Sequence, residues 1–383
     1  MYPYVLIFIV LWIASGLQLF FKLRHLLVFS SIIVIIFLSL RFETGYDWPA
    51  YQQVFNATPS VFNAGLNGIF EIADSESKEP LFVFFISLLK EFGAEFQLLI
   101  VICAVLQISA FAKFLNMLKE NSATVFAISM TWLLFTLYMS TLRQGLAVSF
   151  FLMFMIFMEL KKKTTAITML TIALLFQYSA LIYLLMYLVA NYIRWNKVLV
   201  FICIILIVLA LFQIDSSVVV LKIISMAGFE MVSAKIDWYL NGYAIPTNTF
   251  ELTYNILFSV MTLLILYFTP PSNKDSVLVN KMYGMSLLFC AICLLFYNFP
   301  LLRNRVQYLA LPFCYFFIVR YLVSCRLIYR YLLFALLLVI NAFYFYLFLE
   351  KQSSAPFVPY QNYIFHLITG DQGDGAFRYD SLQ

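Results

Sequence analysis

The protein has 383 residues, of which 64% are hydrophobic and only 11% are charged, and its formal net charge is +5. Soluble domains carry about 25% charged residues, so this composition excludes an ordinary water-soluble fold and also an intrinsically disordered chain. The 24 basic and 19 acidic side chains form no basic block large enough for a nucleic-acid interface, so we expect no nucleic acid as a partner.

Twelve apolar runs predict twelve membrane-spanning helices, each of which needs roughly 20 residues. In chain order the runs are 4–21, 24–40, 95–118, 123–140, 144–160, 164–177, 178–194, 198–214, 251–269, 282–298, 305–322 and 329–349. The shorter run 80–92 predicts a re-entrant or interfacial segment, or the first part of one long helix that ends at residue 118. The stretch 164–194 predicts two short helices, or one helix and a half-helix, with a break near residues 177–179.

The predicted fold is an all-α polytopic membrane protein with one transmembrane domain, residues 1–351, and a C-terminal tail, residues 352–383. Its orientation follows from lysine and arginine, which are enriched in cytoplasmic loops. With the N-terminus outside, the cytoplasmic side receives 14 basic and 3 acidic residues, and the outer side receives 10 basic and 16 acidic residues. Lys161–Lys163 is the strongest cytoplasmic anchor in this arrangement.

This orientation places two long loops, 41–79 and 215–250, on the outer face together with the C-terminal tail. Neither ATP nor a sugar nucleotide is present on that face, so an activated substrate has to arrive as a lipid-linked donor. The sequence also has no Walker motif and no GxGxxG motif. Its two histidines, His25 and His366, belong to no metal-binding motif, so we expect neither a metal nor a cofactor.

The six cysteines all lie in or beside apolar runs, and we interpret them as packing residues. This interpretation includes the CxxC pair Cys290 and Cys293. The pair lies inside a predicted membrane span, where no soluble redox fold would place it.

Candidate functional residues begin in the first outer loop with Arg41, Asp47, Tyr51 and Glu79. Asp47 and Tyr51 are four residues apart, so a helix begun by Pro49 would place both side chains on one face. Glu79 opens the next apolar run. A structural role, as a helix cap or as a carboxylate favoured by the helix dipole, is the alternative for Asp47 and Glu79.

Two later outer turns contain arginine but no lysine. Arg143 and Gln144 lie between two apolar runs, and Arg303, Arg305 and Tyr308 lie between two others. A guanidinium at membrane depth is costly unless it is paired or hydrated, and such residues are usually functional. Snorkelling to lipid headgroups is the structural alternative.

Arginine offers planar bidentate donors that suit a diphosphate or a carboxylate. We therefore expect the four outer arginines to gather at one membrane level and to stabilise a leaving lipid diphosphate without a metal. The acceptor is a sugar hydroxyl, which needs a carboxylate to take its proton as the new bond forms. Glu79 is the first candidate for this base and Asp47 the second. Glu43 is a further candidate, and Asp215 and Asp237 in the second long loop are weaker ones.

Five motifs occur in a fixed order along the chain. They are Arg41…Gly45-Tyr-Asp47-Trp…Tyr51, Glu79-Pro80, Leu142-Arg143-Gln144-Gly-Leu-Ala147, Gln177-Tyr-Ser179-Ala-Leu181 and Arg303…Arg305…Tyr308. This ordered set, which spans about residues 41–310, resembles the EpsG-like branch of the Wzy-type polysaccharide polymerases. Members of that family commonly have histidine where this chain has Gln177, so a base role for that histidine does not transfer to this chain.

The resemblance implies a polytopic glycosyltransferase with a GT-C-like architecture. Such an enzyme joins undecaprenyl-diphosphate-linked oligosaccharide repeats on the outer face of the bacterial cytoplasmic membrane, with a chain-length regulator protein as an expected partner. The catalytic residues would be Glu79, Asp47 and Arg143. The substrate-binding residues would be Arg41, Tyr51, Gln144, Gln177, Arg303, Arg305 and Tyr308.

Three other classes are alternatives to a polymerase. An O-antigen ligase performs similar chemistry with a different acceptor, and short arginine motifs do not separate the two. A lipid-linked oligosaccharide flippase is a transporter, which normally has inverted repeats and charge in a central cavity, and the sequence contains no such repeat. A membrane-bound acyltransferase would need an intramembrane histidine, which this chain lacks.

Overall fold

The structure is a computed structural model. It describes residues 1–23, 25–75, 79–118, 121–190, 192–193, 197–212, 249–272, 274–297, 300–351, 354–370 and 373–374. Apart from residues 249–250, the predicted outer loop 215–250 lies outside the described residues, and so do the candidates Asp215 and Asp237.

Almost all described secondary structure is helical. The first half of the chain contains α1 Tyr2–Phe21, α2 Leu26–Ser39, β1 Arg41–Phe42, α3 Trp48–Ala57, α4 Val61–Ser75, α5 Pro80–Glu91, α6 Phe96–Leu118, α7 Ser122–Leu133, a π-helix Leu134–Ser140, α8 Leu142–Glu159 and α9 Lys163–Phe176. The second half contains α10 Ala180–Val189, α11 Lys197–Leu211, α12 Thr249–Phe268, α13 Val277–Leu295, α14 Pro300–Ser324, α15 Leu327–Glu350, β2 Gln361–Asn362 and α16 Tyr363–Thr369.

The twelve predicted spans all coincide with helices. Seven helices are long and apolar enough to cross a membrane: α1, α6, α7 with the π-helix, α8, α13, α14 from Leu302 onward, and α15. Shorter apolar helices occupy the other five positions: α2, α9, α10, and the parts Leu199–Leu211 of α11 and Asn255–Phe268 of α12. The protein is therefore an all-α polytopic membrane protein, and its twelve crossings stay a prediction.

The predicted break at residues 177–179 is confirmed, because α9 ends at Phe176 and α10 begins at Ala180. The alternative of one helix from residue 80 to residue 118 is wrong. Helix α5 ends at Glu91, and Gly93 follows in a left-handed conformation with φ +71°, which ends the helix before α6 begins.

Two helices with candidate arginines begin earlier than their apolar runs. Helix α8 begins at Leu142, so Arg143 lies in its first turn, and α14 begins at Pro300, so Arg303 and Arg305 lie inside a helix and not in a turn between helices. Both differences have a physical cause. Proline favours the first helical position, and arginine is a good helix former although it interrupts a hydrophobic run.

The first outer loop, 41–79, is mostly helical. Helix α3 has Pro49 in its first turn, which confirms the helix predicted there. Helix α4 was not predicted, because its polar residues interrupt the apolar pattern. It is kinked at Gly65 and packs on α5 through Ile69, Ala73 and Val83.

The charge asymmetry gives a testable topology. Reporter fusions at Lys161–Lys163 and in 270–281 are expected to report a cytoplasmic location, because positive loops are retained there. Fusions in 55–75 and in 225–245 are expected to report an outer location. A cytoplasmic signal from a fusion in 41–79 would contradict both the topology and the function proposed below.

Contacts divide the chain into two compact units. The first unit comprises Met1–Leu181 and Leu322–Gln383. Helix α7 and the π-helix are almost fully enclosed in it, and α7 packs against α1, α2, α6 and α15. Helix α8 packs against α6 and α9, and α5 packs against both α4 and α9. Only Asn341, Phe345 and Leu349 of α15 are buried, and its exposed side chains are almost all apolar, as expected of a lipid-facing helix.

The described part of the C-terminal tail packs on this first unit. Strand β2 pairs antiparallel with β1, with Arg41 opposite Asn362. The hydroxyl of Tyr360 donates a hydrogen bond to the carbonyl oxygen of Phe37 at 2.7 Å. Residues 354–370 therefore lie against the loop that begins at Arg41.

The second unit is Ile182–Tyr321, in which α11, α12 and α13 pack against one another. Arg320 forms an ion pair with Asp275 at 2.9 Å. Burial alone would raise the pKa of the Asp275 carboxyl, but hydrogen bonds from Arg320 and from the backbone N–H of Ser272 outweigh it and lower the pKa. Asp275 is therefore ionised at neutral pH.

Candidate active site

Arg143 and Glu79 form an ion pair in the first unit. Arg143 lies in the first turn of α8, and Glu79 is the N-cap residue of α5, where its carboxylate makes no capping hydrogen bond. Nη1 of Arg143 instead donates to Oε2 of Glu79. Their side chains are 19% and 8% exposed, so the pair is largely shielded from solvent. The structure thus brings together two of the three predicted catalytic residues, 64 positions apart in the sequence.

Tyr51 joins this pair from α3. Its hydroxyl oxygen accepts a hydrogen bond from the backbone N–H of Arg143 at 3.4 Å. Burial, and next the negative charge of Asp47, raise the pKa of Tyr51 to about 12, although Arg143 acts in the opposite direction. Tyr51 is therefore protonated at neutral pH, and its O–H remains a donor.

Asp47 occupies the N-cap position of α3, one turn before Tyr51, but its side chain makes no capping hydrogen bond. The backbone N–H of Tyr51 donates to the carbonyl oxygen of Asp47 at 2.9 Å, so the two residues lie one helical turn apart, as their four-residue spacing predicted. Glu43, the further candidate, lies in the same loop with a positive φ of 40°.

Arg41 is almost completely buried, with 1% exposure. Its Nη1 donates to the carbonyl oxygens of Met139 and, at 3.5 Å, of Thr44, and its guanidinium lies 5.6 Å from the centre of the Trp48 ring. Burial lowers the pKa of Arg41 to about 10, so the side chain is charged at neutral pH. It forms no ion pair with any described residue, so backbone carbonyls and an aromatic ring stabilise its charge.

Met139, the partner of Arg41, belongs to a π-helix that lies directly before α8. In a π-helix the backbone hydrogen bonds run from residue i to residue i+5, and such segments are frequent at functional sites. Here the segment ends at Ser140, whose hydroxyl accepts from the backbone N–H of Tyr46 at 3.4 Å. The Arg41–Tyr46 loop therefore fixes the end of the π-helix, three residues before Arg143.

Gly45 allows this close approach. Its φ is +128°, and a Cβ atom there would lie 2.4 Å from the carbonyl oxygen of Met139. Its N–H donates to the carbonyl oxygen of Pro356 at 2.9 Å, which ties the loop to the C-terminal tail. Only glycine fits this position without displacing backbone.

Gly45→Ala is expected to lower the thermal unfolding midpoint of the protein in detergent, because strain of this kind costs about 1–3 kcal/mol and a backbone clash adds to it. Gly65→Ala is the matched control. Gly65 also has a positive φ, of +62°, but a Cβ there meets none of the described atoms within 4 Å. Equal midpoints for the two variants would show that the Gly45 loop moves away from Met139 without cost.

The motif residues Gln144 and Ser179 contact each other. The Ser179 hydroxyl donates to Oε1 of Gln144 at 3.0 Å, and both side chains are buried. Gln177 is also buried and has an extended backbone, φ −159° and ψ 115°, at the break between α9 and α10. The contact joins two motifs of the ordered set next to Arg143.

Gln107 is a residue of this region that the sequence analysis missed. Its side chain is fully buried in α6, and its Nε2 donates to the carbonyl oxygen of Leu142 at 3.1 Å. A signal was present, because a glutamine in the middle of an apolar run is a polar group at membrane depth.

Arg303, Arg305 and Tyr308 lie on α14 in the second unit. Arg303 is 4% exposed, and its Nη1 donates to the carbonyl oxygen of Tyr297 at 3.2 Å. Arg305 and Tyr308 are half-buried, and the Arg305 carbonyl oxygen accepts from the hydroxyl of Tyr183 at 2.7 Å. A gathering of all four arginines at one site stays a prediction.

Comparison with known proteins identifies one family. A model described as the EpsG family matches residues 24–362. Comparisons with curated proteins and with solved structures return no match. The family match covers most of the chain and confirms the resemblance drawn from the ordered motifs.

Proposed function

The chain belongs to the EpsG family, and from this membership and the Arg143–Glu79–Tyr51 cluster we propose a polymerase of lipid-linked oligosaccharide repeats. In this proposal it is a glycosyltransferase whose donor and acceptor are both undecaprenyl-diphosphate-linked oligosaccharides. It acts in the bacterial cytoplasmic membrane, at the outer face, without a metal. The observation that carries the proposal is a shielded arginine–carboxylate pair at the start of a membrane helix.

Arg143 is proposed to bind the diphosphate of the donor. Its side chain is 19% exposed, so part of the guanidinium remains accessible to a substrate oxygen. The bond between the anomeric carbon and the diphosphate oxygen breaks during transfer, and the electron pair leaves with the lipid diphosphate. A preorganised guanidinium in a partly dry site stabilises the charge that develops on this leaving group.

Glu79 is proposed to take the proton of the acceptor hydroxyl, whose oxygen forms the new bond to the anomeric carbon. The diphosphate would compete with Glu79 for Arg143, so donor binding would release the carboxylate at the moment when a base is needed. Asp47 is the second candidate for the base. The sequence predicted that it orients Arg41 or a sugar hydroxyl, and since Arg41 forms no ion pair with a described residue, the sugar hydroxyl is the proposed target.

The remaining predicted substrate residues divide into those that would contact the substrate and those that would not. Gln144, paired with Ser179, and Gln177 would contact sugar hydroxyls, and Arg305 and Tyr308 would bind a second anionic or sugar group. Arg41 and Arg303 are nearly inaccessible, so their charges would contribute electrostatic potential without direct contact. A chain-length regulator protein is the proposed partner.

A deletion strain tests the function against its two rivals. Loss of a polymerase is expected to leave single repeats in place of a glycan ladder. Loss of a flippase would leave no repeats on the cell surface, and loss of a ligase would leave full-length polymer on the carrier lipid. Either of those two patterns would overturn the proposal.

A further inference from the structure

We propose that Gln107 is a positioning residue for Arg143, acting through the carbonyl oxygen of Leu142. The inference rests on the proposed function, in which Arg143 binds the leaving diphosphate. It concerns a residue outside the ordered motifs, on a helix that provides none of the candidate catalytic groups.

Gln107 lies near the middle of the 23-residue helix α6, which is long and apolar enough to span a membrane. A buried amide at such a place is unfavourable unless it forms hydrogen bonds. Its Nε2 donates to Leu142, while its Oε1 has no partner among the described residues. Only the Nε2 group of the amide forms a hydrogen bond, so the residue contributes one donor to the first turn of α8.

The acceptor of this bond is the residue directly before Arg143. From the other side, the Arg143 backbone N–H donates to the Tyr51 hydroxyl, and Arg41 binds the carbonyl oxygen of Met139. The junction between the π-helix and α8 is thus held by side chains from three separate elements. Removal of the Gln107 donor would let the first turn of α8 shift and would move the guanidinium of Arg143.

The absence of a side chain at Gly145 lets Gln107 approach the backbone of α8. A Cβ atom at Gly145 would lie 2.5 Å from Nε2 and 2.8 Å from Cδ of Gln107. The end of the flexible Gln107 side chain would give way before the helix did. Gly145→Ala should therefore break the same hydrogen bond as Gln107→Met, although alanine is itself the better helix former.

The experiment compares Gln107→Met, Gly145→Ala and the double variant in purified full-length protein with a lipid-linked repeat as substrate. A misplaced catalytic group lowers kcat, so we expect a loss of about 10-fold to 100-fold with little change in KM. The two single effects should not add in the double variant, because both remove one interaction. Arg143→Lys measured beside them shows whether the arginine acts as proposed.

Gln18→Met is the matched control. Gln18 also lies in a spanning helix, and its Oε1 accepts from the backbone N–H of Ala123 at 2.6 Å in the first turn of α7. Its replacement should leave kcat unchanged. Wild-type kcat in Gln107→Met, together with a large loss in Arg143→Lys, would overturn the inference and leave the proposed function intact.

Hydrogen–deuterium exchange of residues 139–146 gives a readout that does not depend on activity. Exchange there should be faster in Gln107→Met and in Gly145→Ala than in the wild type and in Gln18→Met. If the wild-type protein formed no polymer, the proposed function would be wrong. The exchange measurement would still show whether Gln107 holds the first turn of α8. Unchanged exchange in both variants would overturn it.

Discussion

Arg143→Lys is expected to lower the rate of polymer formation by on the order of 10²-fold, while expression and membrane insertion stay normal. Lysine keeps the positive charge and can still pair with Glu79. It lacks the planar fork that binds two oxygens of a diphosphate at once. The measurement is the rate of chain extension with purified protein and a lipid-linked repeat.

Arg320→Lys is the matched control for this substitution. Arg320 also pairs with a carboxylate, Asp275, and the side-chain exposures of 22% and 14% are close to those of the Arg143–Glu79 pair. The control variant should retain full activity. Full-length polymer at the wild-type rate from Arg143→Lys would show that bidentate diphosphate binding by this residue is wrong.

Glu79→Gln is expected to lower kcat by roughly 10²-fold to 10⁴-fold, because a general base acts in the transition state and an amide cannot accept the proton. KM should change less than kcat. Asp47→Asn should have a smaller effect, since asparagine suits a helix N-cap about as well as aspartate does and can still orient a hydroxyl. Both variants are assayed with the purified enzyme, and Asp275→Asn serves as the control for the loss of a paired carboxylate.

The same pair of variants can reverse the assignment. Normal turnover in Glu79→Gln with a strong loss in Asp47→Asn would make Asp47 the base and Glu79 a partner of Arg143 only. Normal turnover in both would mean that neither carboxylate is the base, and that water or the leaving diphosphate takes the proton.

The helices were predictable because a membrane span needs a long apolar run, and the twelve runs of this sequence are separated by charged or polar residues. Helix ends were less predictable. Arg143, Arg303 and Arg305 interrupt the hydrophobic pattern without interrupting the helix, so an apolar run underestimates the length of α8 and of α14. Helix α4 was missed for a similar reason, since a polar amphipathic helix leaves no apolar run.

Local spacing predicted local neighbours at the candidate site. Asp47 and Tyr51 are close because a helix of 3.6 residues per turn places residues i and i+4 on one face. No such rule connects Glu79 with Arg143, or Gln107 with Leu142, because these pairs form only when separate helices pack. The contact between the tail and the Gly45 loop had no sequence signal either.

Arg41 shows most clearly what the sequence left open. Its place in the ordered motifs predicted a ligand for the substrate, and that role stays a prediction. The structure gives the side chain backbone carbonyl partners at the end of the π-helix and buries it to 1% exposure. Residue type and motif position do not distinguish an arginine that binds a substrate from one that holds the backbone beside the site.

Reconstitution tests the central claim most directly. The purified protein alone is placed in vesicles with a defined undecaprenyl-diphosphate-linked repeat, with and without a metal chelator, and the lipid products are separated by length. The account predicts a ladder of lipid-linked oligomers with release of undecaprenyl diphosphate, unchanged by the chelator and formed on the order of 10²-fold more slowly by Arg143→Lys. Movement of the intact repeat across the vesicle membrane without any ladder would contradict it.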